Sequence, residues 1–146
     1  MRIALYQPDI PQNTGAILRL AACLSVGVDV IEPCGFVWSD RRLRRAGMDY
    51  LDQASVARHQ SWSHFQSNAP NRLILLTTRA DTVYTEFQFT DSDTLIVGRE
   101  SAGAPPEVHD AMDARLHIPM HPQARSLNVA LALSMVLGEA IRQTNL

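Results

Sequence analysis

At 146 residues, with 46% hydrophobic and 19% charged residues, the chain has the length and composition of one soluble globular domain spanning residues 1–146. A formal net charge of −2 excludes a surface that traps polyanions everywhere, so any RNA contact has to come from a local basic patch. Two cysteines, Cys23 and Cys34, are too few for a disulfide framework, and Met1 to Ile10 carries no apolar run of signal-peptide length, so a cytoplasmic protein is expected.

Ile3 to Tyr6 reads as a first strand, followed by a turn at Pro8, Pro11 and Asn13. A helix is predicted from Asn13 or Thr14 to Ser25, capped by Asn13 and closed by Gly27, with Ile17, Leu20, Ala21 and Leu24 on its core face. Cys23 lies in that apolar pattern and is expected as a buried, reduced thiol. Arg19 lies roughly 200° from Ile17 at about 100° per residue, away from the core stripe. Val28 to Ile31 is a second strand, which completes the strand–helix–strand unit of parallel sheets.

Cys34 to Ser39 is a loop rich in aromatics, and Arg41, Arg42, Arg44 and Arg45 follow it within five positions. Guanidinium groups in such a cluster suit phosphate contacts, although a solvated helix face accounts for the pattern equally well. Val56 to Arg58 is a candidate strand and Ser61 to Asn68 a short helix. Leu73 to Leu76, Leu95 to Val97 and Leu116 to Ile118 are further strands, while Thr82 to Thr90 is ambiguous. The last helix is predicted from Ser126 to Thr144. Its near-continuous apolar sequence implies burial almost all round, under another chain or a looped segment.

All 13 basic residues are arginine, which removes a lysine base, a Schiff-base lysine and the phosphate-loop lysine from the possible mechanisms. His117 and His121 are four apart, but Pro119 forbids a helix between them, so no metal site is expected. The stretch from Leu95 to Pro106 is different: a strand ends at Gly98, and Arg99 and Glu100 stand between two glycines before Pro105 and Pro106 open a short helix. By itself this loop is also compatible with a surface turn carrying a solvated ion pair. In parallel α/β sheets, however, ligands sit beyond the carboxyl ends of strands. Three strand ends offer such loops: Leu76-Thr77-Thr78, Gly98-Arg99-Glu100 and Ile118-Pro119-Met120. Leu76, Ile118 and Met120 would pack an adenine base there while backbone amides read its edge.

These residues carry a resemblance that spans nearly the whole chain. Asn13-x-Gly15-x-x-x-Arg19, Gly98-x-Glu100-x-x-Gly103 and Ser126-Leu127-Asn128 resemble the three motifs of the SPOUT methyltransferases, in the order of that superfamily. Glu32-Pro33-x-Gly35-Phe36, Leu43 to Tyr50 and Ile118-Pro119-Met120 are similar to the small single-domain members that 2′-O-methylate the wobble nucleotide, cytidine or modified uridine, of leucine tRNAs. The resemblance implies an α/β fold with a mainly parallel sheet flanked by helices and a deep C-terminal trefoil knot. It also implies S-adenosylmethionine as cofactor, a homodimer and the tRNA anticodon stem-loop as partners, and neither metal nor membrane.

On that resemblance Leu76, Thr77, Gly98, Glu100, Gly103, Ile118, Met120, Ser126 and Leu127 line the cofactor. Asn13, Arg19, Glu100, Ser126 and Asn128 face the transferred methyl, and Arg41, Arg42, Arg44 and Arg45 hold the RNA. Where some relatives carry serine, asparagine and tyrosine in the last helix, this chain has Ala130, Leu131 and Gly138. Three alternatives stand beside this reading: a non-catalytic RNA-binding module, a flavodoxin-like nucleotide binder, and methylation of another tRNA or ribosomal RNA ribose.

Overall fold

The apolar runs of the sequence become the strands of one sheet in the computed structural model, which describes residues 1–39, 55–68 and 72–145. The strands are β1 (Arg2–Tyr6), β2 (Gly27–Ile31), β3 (Val56–His59), β4 (Leu73–Leu76), β5 (Thr82–Val83), β6 (Thr94–Val97) and β7 (Ala114–His117). They form a seven-stranded sheet in the order β3-β2-β1-β6-β4-β7-β5, and every pairing is parallel. Such a sheet must be covered on both faces, which explains the scarcity of polar residues in its central strands.

Side chains alternate between the two faces along each strand. Ile3, Leu5, Ile74, Leu95 and Val97 point to the face covered by α1 (Pro11–Cys23) and α4 (Val129–Thr144). Ala4, Tyr6, Leu75 and Ile96 point to the other, with Phe65 of α2 (Trp62–Asn68) and Val108 of α3 (Pro106–Asp110). Each fully buried Leu or Ile contributes about 1.5–3 kcal/mol, so these two layers dominate the stability of the fold.

The ends of α1 differ from the sequence expectation. Pro11 stands at the first helical position and Ile10 is the N-cap, so the helix begins before Asn13, whose side chain is left for other contacts. The buried face is Thr14, Ile17, Leu18 and Ala21; Leu20 is only half-buried and Leu24 is exposed. Cys23 is likewise exposed. The helix closes through Ser25 at φ 56, with Ser25 N–H donating to Ala22 O and Val26 N–H to Ala21 O. This is a Schellman closure made by serine, and Gly27 instead opens β2.

The last helix starts at Val129 because Asn128 caps it, accepting from the N–H groups of Ala130 and Leu131. Ser126 and Leu127 therefore stay in the preceding loop. Within this chain the burial is one-sided: Leu133, Val136, Leu137 and Ala140 are buried, while Leu131 and Met135 are 60% and 42% exposed. With Gly138, which has open space beside it, they form an apolar stripe on the outer side of α4. Ala16, Arg19 and Cys23 are exposed on α1, the helix against which α4 packs.

Candidate active site

The sheet changes direction of growth between β1 and β6, and the carboxyl ends of four strands are aligned there. Leu5 lies opposite Val97, Val97 opposite Leu76, and Leu76 opposite Leu116. The loops that follow these strands surround a cavity of about 530 Å³ together with the segment before α4. Leu76, Thr77, Gly98, Glu100, Gly103, Ile118, Met120, Ser126 and Leu127 all line it, as do Asn13 and Asn128. Arg19 does not line it and points from the exposed side of α1. Arg41, Arg42, Arg44 and Arg45 lie outside the described residues.

The Gly98–Gly103 loop is closed by a reciprocal backbone pair: Arg99 N–H donates to Gly103 O at 3.1 Å and Gly103 N–H to Arg99 O at 2.8 Å. Gly103 has φ 68, and a Cβ on Gly98 would fall 2.5 Å from the carbonyl carbon of Gly103. Glycine at 98 therefore lets the loop close tightly on its own backbone, while the space beside Gly103 is open. Arg99 and Glu100 do not form the surface ion pair that their sequence neighbourhood allowed. Arg99 donates through Nη2 to Oε1 of Gln7, a residue held at φ 46, while Glu100 turns the other way.

Glu100 is the centre of a polar chain. Its Oε1 accepts from Asn13 Nδ2 at 3.3 Å, and Asn13 Oδ1 accepts from Asn128 Nδ2 at 2.9 Å. Asn128 Oδ1 in turn holds the first turn of α4. Each amide has a donor and an acceptor engaged, so its orientation is set by the network. The three motif segments, far apart in the chain, are thus joined by side-chain hydrogen bonds. Burial and then the neighbouring Asp9 carboxyl push the Glu100 carboxyl above its ordinary 4.5. Asp9 is held down at about 2, chiefly by its hydrogen bond with Glu100.

The cavity also carries basic groups. Arg79, Arg99, His109 and His117 line it, and burial followed by the charges of Arg115 and Arg79 lowers the His109 ring below its ordinary value. The apolar part of the lining includes Leu76, Val97, Leu116 and Ile118. An adenosine-sized group with both an apolar ring and charged substituents fits such a lining. No group of three or more metal-ligating side chains occurs among the described residues.

The sequence model of the SpoU rRNA Methylase family matches residues 1–138. The chain belongs to that family. A tRNA (cytidine(34)-2'-O)-methyltransferase from Beijerinckia indica is 58% identical over 144 residues, covering 97% of this chain and 90% of the relative. A solved structure described as giving structural insights into the 2-OH methylation of C/U34 on tRNA superposes with a TM-score of 0.92 at 38% identity, covering 97% and 94% of the two chains. The SpoU methyltransferase AviRb from Streptomyces viridochromogenes, solved in complex with AdoMet, superposes with a TM-score of 0.86 at 27% identity, covering 98% of this chain and 60% of that one.

Sequence reasoning missed several lining residues: Ile10, Arg79, His109 and Ala132. It also missed Asp9, which sits under Glu100. The only sequence signal for Asp9 was an acid between Pro8 and Pro11 directly after a strand, and nothing in that signal indicates its partner 91 residues away.

Proposed function

We propose that this chain uses S-adenosylmethionine to methylate the ribose 2′-hydroxyl of the wobble nucleotide, cytidine or modified uridine, in tRNA, with leucine isoacceptors as substrates. The observation that carries this is the cavity itself, in which three separate motif segments meet and are linked by the Glu100–Asn13–Asn128 chain. The near full-length likeness to tRNA (cytidine(34)-2'-O)-methyltransferases supports tRNA as the substrate, although the family as a whole is named for ribosomal RNA.

When bound, the cofactor supplies a methyl group already activated by its sulfonium, so the chain's own task is positioning and removal of one proton. Leu76 and Ile118 would pack the adenine, and the Gly98–Gly103 backbone would lie against the rest of the nucleoside. Asn13, Glu100, Ser126 and Asn128, which line the same cavity, would orient the 2′-hydroxyl for transfer. A guanidinium is a poor proton acceptor, so Arg19 clamps the adjacent phosphate and polarises the hydroxyl while the proton leaves to water. Because Arg19 is exposed and away from its own chain's cavity, it serves the cavity of a second copy.

That copy docks on the stripe of Leu131, Met135 and Gly138 and on the α1 flank of Ala16, Arg19 and Cys23, forming a homodimer. The C-terminal segment through Ser126–Asn128 is knotted as in other SPOUT enzymes, the Arg41–Arg45 cluster holds the anticodon stem-loop, and the enzyme works in the cytoplasm. The test is incubation with labelled cofactor and a panel of transcripts, followed by mapping of the methylated nucleotide. Label at position 34 of leucine tRNAs is expected; label confined to ribosomal RNA overturns the assignment.

A further inference from the structure

We propose that Asp9 is a positioning residue: by exchanging hydrogen bonds with Glu100 it fixes the carboxyl oxygen that holds Asn13 and, through Asn13, Asn128 at the cavity. The proposal rests on the functional reading above and adds a residue that none of the motifs contains.

The geometry is reciprocal. Asp9 N–H donates to Glu100 Oε2 at 3.1 Å, and Glu100 N–H donates to Asp9 Oδ1 at 3.1 Å. The second Asp9 oxygen accepts from Ser101 N–H at 3.3 Å and from the Ser101 hydroxyl. Asp9 therefore ties both the backbone and the side chain of the Gly98–Gly103 loop to the β1–α1 turn. With Oε2 of Glu100 occupied by Asp9, Oε1 is the oxygen left to accept from Asn13. Rotation of that carboxyl would break the bond to Asn13, whose other end holds Asn128.

The turn that carries Asp9 is itself braced. Gly35 N–H donates to Pro8 O at 2.9 Å, and a Cβ on Gly35 would lie 2.5 Å from the Cβ of Asp9. The loop that begins the aromatic segment thus rests directly on Asp9, which places this carboxylate between that loop and Glu100. Asp9 also carries a charge that an equally shaped amide would not. The groups bonded to Glu100 are Asp9 and Asn13 from the β1–α1 turn, and Ser126 and Asn128 from the segment before α4 line the same cavity. Arg79 from the β4–β5 turn, Arg99 of the same loop, His109 from α3 and His117 from β7 also line the cavity. Of these, Asp9 is the group whose carboxyl pairs with Glu100 and raises it.

Asp9→Asn keeps the shape and removes the charge, while Ser101→Ala, at an exposed position, removes the hydroxyl donor from one Asp9 oxygen and leaves only the residue-101 N–H on it, without endangering the fold. The full-length chain, labelled with ¹³C at glutamate carboxyls, is titrated by NMR, with Glu100→Gln assigning the Glu100 signal. In parallel, kcat and KM for tRNA and cofactor are followed against pH. In Asp9→Asn the Glu100 midpoint should move to lower pH, the acid limb of kcat should move with it, and kcat should fall by about tenfold or more with KM for cofactor little changed. Ser101→Ala should lower kcat about fivefold, the equivalent of one hydrogen bond. An unmoved Glu100 midpoint, or a loss of melting temperature with kcat and its pH profile unchanged, overturns the proposal. Absence of methyl transfer by the wild-type chain on every transcript would instead overturn the functional reading, while the NMR titration still decides whether Asp9 governs Glu100.

Discussion

Replacing Gly98 by alanine should damage cofactor binding more than the same change at Gly103, although Gly103 is the residue with the left-handed backbone. A Cβ at Gly98 would stand 2.5 Å from Gly103 C and 2.6 Å from Ala104 N, where ordinary contacts begin near 3.4 Å, so the loop backbone must retreat by about 0.9 Å. Both obstructing atoms belong to the backbone and cannot swing away as a side-chain tip would. The retreat overpacks the strand end, at about 1–3 kcal/mol, and pulls apart the two Arg99–Gly103 hydrogen bonds, at about 1 kcal/mol each. Even about 2 kcal/mol of this, felt in the binding-competent loop, corresponds to roughly thirtyfold weaker affinity. At Gly103 an added Cβ meets nothing within 4 Å, and only the φ of 68 is penalised, at about 1 kcal/mol or roughly fivefold. Calorimetric titration of both variants with S-adenosylhomocysteine, alongside thermal melts, measures the two losses. Binding by Gly98→Ala within twofold of wild type, or a harsher effect at Gly103, would refute the reasoning.

Leu131→Asp places a charge in the exposed stripe of α4; on the proposed homodimer it should yield a monomer by light scattering without unfolding the chain, and on the proposed sharing of Arg19 between copies it should also abolish activity. Asn128→Ala removes the cap of α4, at about 1 kcal/mol, and should lower the melting temperature by about 3 °C. The same variant should lose more turnover than stability, since it also releases Asn13. Asp93 is fully buried; burial alone would raise its carboxyl, but hydrogen bonds from Arg72 and Thr90 outweigh this and hold it below its ordinary 3.8. A depressed folded value means its contribution is complete above that ordinary value and is lost as pH falls through the lower folded one. Urea titrations from pH 5 to 2 should therefore show a decline in stability that Asp93→Asn flattens. Alanine at both Arg41 and Arg42 should weaken tRNA binding at every sequence and flatten its salt dependence by about one unit of slope per lost phosphate contact, leaving S-adenosylhomocysteine binding intact.

Much of the sheet was legible in the sequence because a buried parallel strand needs a short continuous apolar run. Ile3 to Tyr6, Val28 to Ile31, Leu73 to Leu76 and Thr94 to Val97 have no polar alternative apart from Asp29 and Thr94, so their pattern had one interpretation. The lining of the cavity was legible for a related reason. Strand ends followed by Thr77, Gly98 and Ile118 mark where a parallel sheet presents its loops, and the resemblance to the SPOUT motifs supplied Asn13, Ser126 and Asn128. Helix ends were less legible, because a cap is a competition between neighbours: Pro11 displaced Asn13 from the start of α1, and Ser25 took the left-handed position assigned to Gly27.

What only the tertiary structure decided is which polar groups meet. Glu100 could have paired with Arg99 beside it, as its place in the chain allowed, yet the turn at Gly98 sends Arg99 to Gln7 and Glu100 to Asp9 and Asn13. The outward stripe on α4 was decided in the same way. Its apolar sequence permits burial on any side, and only the packing of α4 on α1 and the sheet determines that Leu133, Val136 and Leu137 are covered while Leu131 and Met135 are left bare. Local pattern specifies how much apolar surface an element carries; the direction in which that surface and the long-range polar partners face is a property of the assembled sheet.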